Sequence, residues 1–189
     1  MRKIMYYVHQ SVDGFIEGPN GEFDWPVLGP ELADYSMSLA ARADTFLYGR
    51  IVWEVMSSYW PTADSTDPDQ HAIEFAPVWR ATPKLVLSTT LETLPGNAEV
   101  IRHAEDLRAV KALPGKDILL TGSASVAAAL TKLGLLDEYH VIVHPVILGG
   151  GKPVYHPVTE RVNLQLIESR IFDDRTVLLR HDLTVGGQS

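Results

Sequence analysis

The sequence contains no cysteine in its 189 residues. That absence excludes disulfides, thiolate nucleophiles and every cysteine-ligated metal or cluster site. No run of about 18 apolar residues is present to cross a bilayer, and the stretch after Met1 lacks the apolar segment of a secretory leader. Basic charge is also scarce, with 16 Lys and Arg against 24 Asp and Glu for a net charge of −8. The cations are scattered, with no basic arm, so the chain's field opposes binding to a phosphate backbone. Neither nucleic acid nor membrane is an expected partner, and a cytoplasmic location is expected. Neither G-x-G-x-x-G nor a phosphate loop ending in Gly-Lys-Ser/Thr occurs. His140 and His144 share a strand face but have no third ligand at suitable spacing, so no metal is expected.

What is present reads as one globular domain. Hydrophobic residues make up 46% and charged residues 21%, and a chain of this length buries roughly 70% of its unfolded surface. Lys3 to His9 is an apolar, aromatic and β-branched run, expected to be a buried strand. Ser11 to Pro30 is dense in Gly and Pro and reads as a long loop. Glu31 to Ala43 has helical spacing, Thr45 to Tyr48 reads as a strand, and Ile51 to Ser58 as a helix. Pro61 to Gln70 reads as surface loop, and His71 to Arg80 as helix. Strands at Lys84 to Ser88 and Glu99 to Ile101 follow, then a helix over Glu105 to Leu113. Asp117 to Thr121 is another buried strand. Ser123 is expected to cap a helix reaching Leu133, with Gly134 as its stop. Glu138 to Leu148 is strand-like up to Pro145, and three glycines follow at Gly149 to Gly151. Asn163 to Phe172 and Thr176 to Leu183 flank Asp173 and Asp174 as a hairpin. The expectation is an α/β fold: a mixed, mostly parallel sheet with helices on both faces and a C-terminal antiparallel pair. Residues 1–185 form the expected single domain, and 186–189 the expected disordered tail.

Three segments carry chemistry. Thr121-Gly122-Ser123-Ala124-Ser125 runs from a strand into a helix start, the arrangement whose free N–H groups hold phosphates. Gly49-Arg50-Ile51-Val52-Trp53-Glu54 repeats it, with an arginine suited to fork a phosphate. Lys84-Leu85-Val86-Leu87-Ser88-Thr89 is a strand ending in two hydroxyls. Taken singly, these read equally as a capped helix, a solvated arginine and a capped turn.

Taken together, with the opening Ser11-Val12-Asp13-Gly14-Phe15-Ile16 and with Leu148 to Gly151, they resemble the dihydrofolate reductase superfamily over nearly the whole chain. The closest branch is the C-terminal reductase domain of the riboflavin-biosynthesis deaminase-reductase and its stand-alone relatives. No His-x-Glu with Cys-x-x-Cys occurs, so the zinc deaminase half is not expected. The resemblance implies an NADPH-dependent reductase of a pterin-like or pyrimidine-like heterocycle, probed against two alternatives: true dihydrofolate reductase, or an NADPH- or ligand-binding protein without catalysis. It implies a homodimer. It places Arg50, Ser88, Thr89 and Arg102 around the adenosine and its 2′-phosphate. Gly49, Ile51, Val52, Gly122, Ser123, Ala124 and Ser125 would lie along the pyrophosphate, Ile16 would touch the nicotinamide carboxamide through its backbone, and Trp25 would meet the substrate. Two carboxylates stand as candidate acids: Glu31, expected to be buried with a raised pKa, and Asp13 in the loop. Val52 stands where the family has threonine, a departure that weighs against folate as the substrate.

Overall fold

The structure, a computed structural model, describes residues 1–156 and 161–183. The expected tail at 186–189 lies outside the described residues, as do residues 184 and 185.

Eight strands form one sheet: β1 (Ile4–Ser11), β3 (Ala43–Gly49), β4 (Lys84–Leu87), β5 (Ala98–Ile101), β6 (Asp117–Thr121), β7 (Glu138–His144), β9 (Leu164–Phe172) and β10 (Thr176–Leu183). Their spatial order is β5-β4-β3-β6-β1-β7-β10-β9. The first six are parallel to one another, while β10 runs antiparallel to β7 and β9 antiparallel to β10. β1 is packed on both faces, which is why its residues are apolar without alternation.

The path of the chain sorts the helices. From β1 it moves by α1 (Pro30–Arg42) to β3, then by α2 (Arg50–Tyr59), the short α3 (Ala63–Thr66) and α4 (Gln70–Ala81) to β4. These connections lie on one face, over a core containing Met5, Leu32, Phe46, Trp53 and Trp79. From β5 and β6 the chain turns back by α5 (Leu107–Ala112) and α6 (Ala124–Lys132), on a second core with Ile4, Val8, Leu107, Leu120 and Leu130. Right-handed crossovers require this, since reversing direction along a sheet reverses the face. The reversal falls between β3 and β6, which are neighbours, so a crevice opens at their carboxyl ends.

Two elements depart from the expectation. The Gly- and Pro-rich stretch after β1 contains β2 (Phe15–Glu17), which pairs antiparallel with β8 (Lys152–Pro153) just past the three glycines. The stretch read as surface loop after Pro61 contains α3. Strands of two and three residues carry no periodicity, so only tertiary pairing reveals them.

Candidate active site

At the reversal between β3 and β6 lies a cleft of about 470 Å³. Gly49, Arg50, Ile51 and Val52 line it from the start of α2, Ser88 and Thr89 from the end of β4, Arg102 from just past β5, and Ser123 and Ser125 from the start of α6. Three turns spread over more than 70 residues of sequence are brought to one place. Gly122 and Ala124 sit within the same β6–α6 turn without lining the cleft, and neither does Ile16, which lies in β2, the strand paired with the one that carries the lining residue Lys152.

The two helix starts are locked together. Gly49 N donates to Ser123 Oγ at 2.9 Å. Ser123 therefore does not cap its own helix: it adopts a left-handed conformation, with φ 56°, and α6 begins at Ala124 without a side-chain cap. Within α6 the first N–H groups bonded are those of Val126 and Ala127, both to Ser123 O. The earlier N–H groups of α6, and those opening α2, have no intrahelical acceptor, which leaves a positive cradle for an anion. Side-chain-free backbone keeps the cradle open. A Cβ on Gly49 would lie 3.0 Å from Val126 Cγ2 and 3.2 Å from Ser123 Oγ, and one on Gly122, whose φ is +58°, would lie 3.3 Å from Val52 Cγ2.

The cations expected at the 2′-phosphate have partners of their own. Arg50 Nη1 meets Glu54 Oε1 at 2.8 Å across one exposed helical turn, and Arg102 Nη1 donates to Ser88 O at 3.0 Å. Ser88 Oγ accepts from the N–H of Thr90 and of Leu91 at 3.2 and 3.1 Å, the geometry of a capped turn. Thr89 is exposed. Sequence reasoning missed Lys152, His103 and Glu105, which also line the cleft. The signal for Lys152 was the lysine directly after the triple glycine.

Neither candidate acid lies in the cleft. Glu31 is exposed, not buried beside an apolar ring as expected. Its Oε2 accepts from Asp173 N at 2.6 Å, while Asp173 Oδ1 and Oδ2 accept from Glu31 N and Leu32 N at 3.1 and 3.3 Å. The pair ties the α1 start to the β9–β10 turn, where Asp173 and Asp174 both take positive φ. Asp13 is exposed too, and its carboxylate accepts from Leu148 N and Gly149 N at 3.1 and 2.8 Å. A hydrogen bond from Ser11, followed by those backbone bonds, holds its pKa below the ordinary range, so it stays ionised near neutrality.

Trp25 lies across the carboxyl ends of β1 and β7, its ring edge-on to His144 at 5.5 Å, and its buried Nε1 has no partner. His144 Nε2 and His9 Nδ1 are 2.8 Å apart. Burial, and then the neighbouring imidazole, push His9 down to about 3; burial and then Arg175 push His144 down to about 4. Both rings are neutral at pH 7. His140, the other histidine weighed as a metal ligand, is buried between Tyr35 Oη at 2.6 Å and Glu138 Oε2 at 2.8 Å.

The comparisons with known proteins agree with this architecture. A family model described as the RibD C-terminal domain matches residues 2–178. The uncharacterized protein YyaP of Bacillus subtilis (strain 168) is 34% identical over 178 residues, covering 93% of this chain and 92% of YyaP. The uncharacterized protein YwjB of the same strain is 25% identical over 181 residues, covering 90% of this chain and 92% of YwjB. Among solved structures, a protein from Shewanella sp. PV-4 named for riboflavin biosynthesis aligns over 97% of this chain and 99% of its own, with a TM-score of 0.73 at 22% identity. The diaminohydroxyphosphoribosylaminopyrimidine deaminase/5-amino-6-(5-phosphoribosylamino)uracil reductase of Thermotoga maritima aligns over 97% of this chain and 57% of its own, with a TM-score of 0.67 at 14% identity. At these identities the solved structures speak for the fold.

Proposed function

The chain belongs to the RibD C-terminal domain family, and from that premise we propose that it is an NADPH-dependent reductase. In this reading it passes a hydride to a pterin-like, pyrimidine-like or related small heterocycle, in the manner of a 5-amino-6-(5-phosphoribosylamino)uracil reductase. Its fold is that of the riboflavin-pathway reductase domain. The observation that carries the proposal is the meeting of three strand-end turns in one cleft at the reversal of the sheet.

The residues present suit a dinucleotide. The opening N–H groups of α2 and α6 would hold the pyrophosphate, with Gly49 and Gly122 keeping side chains out of its path. Arg50, Ser88, Thr89 and Arg102 would face the adenosine and its 2′-phosphate, where guanidinium groups favour NADPH over NADH. Ile16 would contact the carboxamide through its backbone. When bound, the cofactor supplies the hydride. Trp25, His9 and His144 supply an aromatic, uncharged wall at the ends of β1 and β7, suited to a neutral heterocycle and to the exclusion of bulk water. Glu31 and Asp13 are engaged with backbone N–H groups outside the cleft, so in this reading the proton comes from a water. The reading includes a second copy of the chain as partner, and the outer strand β9 exposes Leu166, Ile167 and Ile171.

Two measurements test this. Titration with NADPH and NADH, followed by tryptophan fluorescence, should show tighter binding of NADPH; preference for NADH would remove the role given to Arg50 and Arg102. The NADPH complex is then offered dihydrofolate and the deaminated riboflavin precursor while cofactor oxidation is followed. Turnover of the pyrimidine supports the reading, turnover of dihydrofolate alone replaces it, and cofactor binding without oxidation of either reduces it to a binding protein.

A further inference from the structure

Lys152 enters the cleft from an element unrelated to the three turns. It sits in β8, whose register sets it opposite Glu17 of β2. This two-stranded strap is anchored at several points. Asp13 holds Leu148 N and Gly149 N, and Val154 N donates to Gly14 O at 2.9 Å. A Cβ on Gly151 would collide with Glu17 O, so only glycine lets the two strands approach at this point. The strap thus forms one bonded unit carrying Ile16, Glu17 and Lys152.

Lys152 is also the least engaged cation of the cleft. Arg50 is paired with Glu54 at 2.8 Å and Arg102 with Ser88 O at 3.0 Å. Lys152 Nζ lies 3.8 Å from Glu17 Oε1, close enough for attraction but too far for a hydrogen bond. A half-buried ammonium with an ill-made partner, facing two helix starts with free N–H groups, lacks only a stronger anion. Glu105 is the one carboxylate among the lining residues and works against anions there.

Building on the reductase reading, we propose that Lys152 exchanges Glu17 for the pyrophosphate of the dinucleotide and thereby draws the β2–β8 strap onto the bound cofactor. The pyrophosphate is the group chosen because Lys152 shares its strap with Ile16, the residue assigned to the nicotinamide end. No covalent step is involved.

The test titrates NADPH and NADH into the wild-type protein and into Lys152→Met, Lys152→Arg and Glu17→Gln, by tryptophan fluorescence, with thermal melts as a check on folding. Lys152→Met should weaken both dinucleotides by about the same factor, roughly 10- to 100-fold for a lost charge-assisted hydrogen bond. Lys152→Arg should restore most of that. Glu17→Gln removes the competing carboxylate and should tighten both dinucleotides a few-fold, the opposite of what a purely structural ion pair predicts. Limited proteolysis gives a second readout: NADPH should protect the strap in the wild type but not in Lys152→Met. A loss confined to NADPH would move Lys152 to the 2′-phosphate and overturn the inference, as would unchanged affinity in Lys152→Met or weaker binding in Glu17→Gln. A wild-type protein that binds neither dinucleotide would instead overturn the reductase reading from which the inference starts.

Discussion

The two ends of the parallel strands are both rich in polar groups, yet they are built on opposite plans. At the amino ends, most of the charges are answered by opposite charges, although buried Lys84 has only neutral partners in Arg80 O, Asn97 Oδ1 and the Trp79 ring. Glu138, fully buried at the start of β7, meets Lys3 at 2.7 Å, His140 at 2.8 Å, and Arg42 and Arg180 at 3.3 Å each. Burial alone would raise its pKa, but the hydrogen bonds from His140 and Lys3 and the charges of Arg42 and Arg180 outweigh it and hold the carboxyl well below the usual range. Arg2 is likewise bound to Asp44 and Thr45, and Lys111 to Asp137 and Leu135 O. At the carboxyl ends, helix-start N–H groups face a cleft, the imidazoles of His9 and His144 are neutral, and Lys152 has only a distant partner. Charge density therefore does not mark the site. Unanswered polarity in a concave place does, because there alone can a ligand add bonds without breaking stronger ones.

The contrast can be broken at either end. The largest effect is expected from Glu138→Ala, which leaves several cations without their buried counter-charge and should cost about 3–5 kcal/mol in denaturant unfolding. Dinucleotide affinity of the folded protein should stay within a few-fold; a larger loss would show that the ends are coupled. Gly122→Val should give the reverse pattern. Its left-handed backbone costs a side chain about 1–2 kcal/mol, but dinucleotide binding measured by fluorescence should fall by roughly 100-fold as the turn is pushed from Val52, an estimate of ~2.7 kcal/mol.

Acid should sharpen the comparison further. The folded pKa values of His9 and His144 lie below the ordinary 6.5, so the unfolded chain binds protons that the folded one refuses. Each contribution is complete above pH 6.5 and declines as pH falls toward 4 by up to ~1.4 kcal/mol per pH unit, about 2.7 kcal/mol per unit for the two together. Thermal melts across that range should show the slope, and His144→Gln should flatten it. Glu138, also depressed, adds its loss only below its ordinary value of 4.5, while its partner His140, lowered from 6.5 mainly by burial, adds to the loss at higher pH. The smallest effect is expected from Arg102→Leu, which should narrow the preference for NADPH over NADH by roughly tenfold, ~1.4 kcal/mol, in paired titrations.

Much of this architecture was legible beforehand. Long apolar strands such as β1 and β6 and helices such as α1 and α4 announce themselves because burial imposes a period that local sequence must satisfy. The cleft was legible in pieces, since a glycine between a strand and a helix has few other uses, and Gly49 and Gly122 stood where such turns were expected. The burial expected of Glu31 is not met, because an acid in a first helical turn looks the same whether it is buried beside an apolar ring or, as here, exposed and bonded to Asp173 N. Ser123 was misjudged for a similar reason: a serine before a helix looks like its cap, whereas its hydroxyl is turned to Gly49 N. The strap and Lys152 left almost no trace, being short strands joined across 135 residues.

What the sequence determined by itself is the alternation of strands and helices, the exclusion of cysteine chemistry, and the presence of three phosphate-suited turns, because each depends on residues adjacent in the chain. Only the tertiary structure decided that those turns meet, that Lys152 joins them, and that Glu138, Arg2 and Lys111 find their partners at the amino ends. Those outcomes depend on where the sheet reverses direction and on which distant groups it brings within a few ångströms, and local propensity carries no record of either.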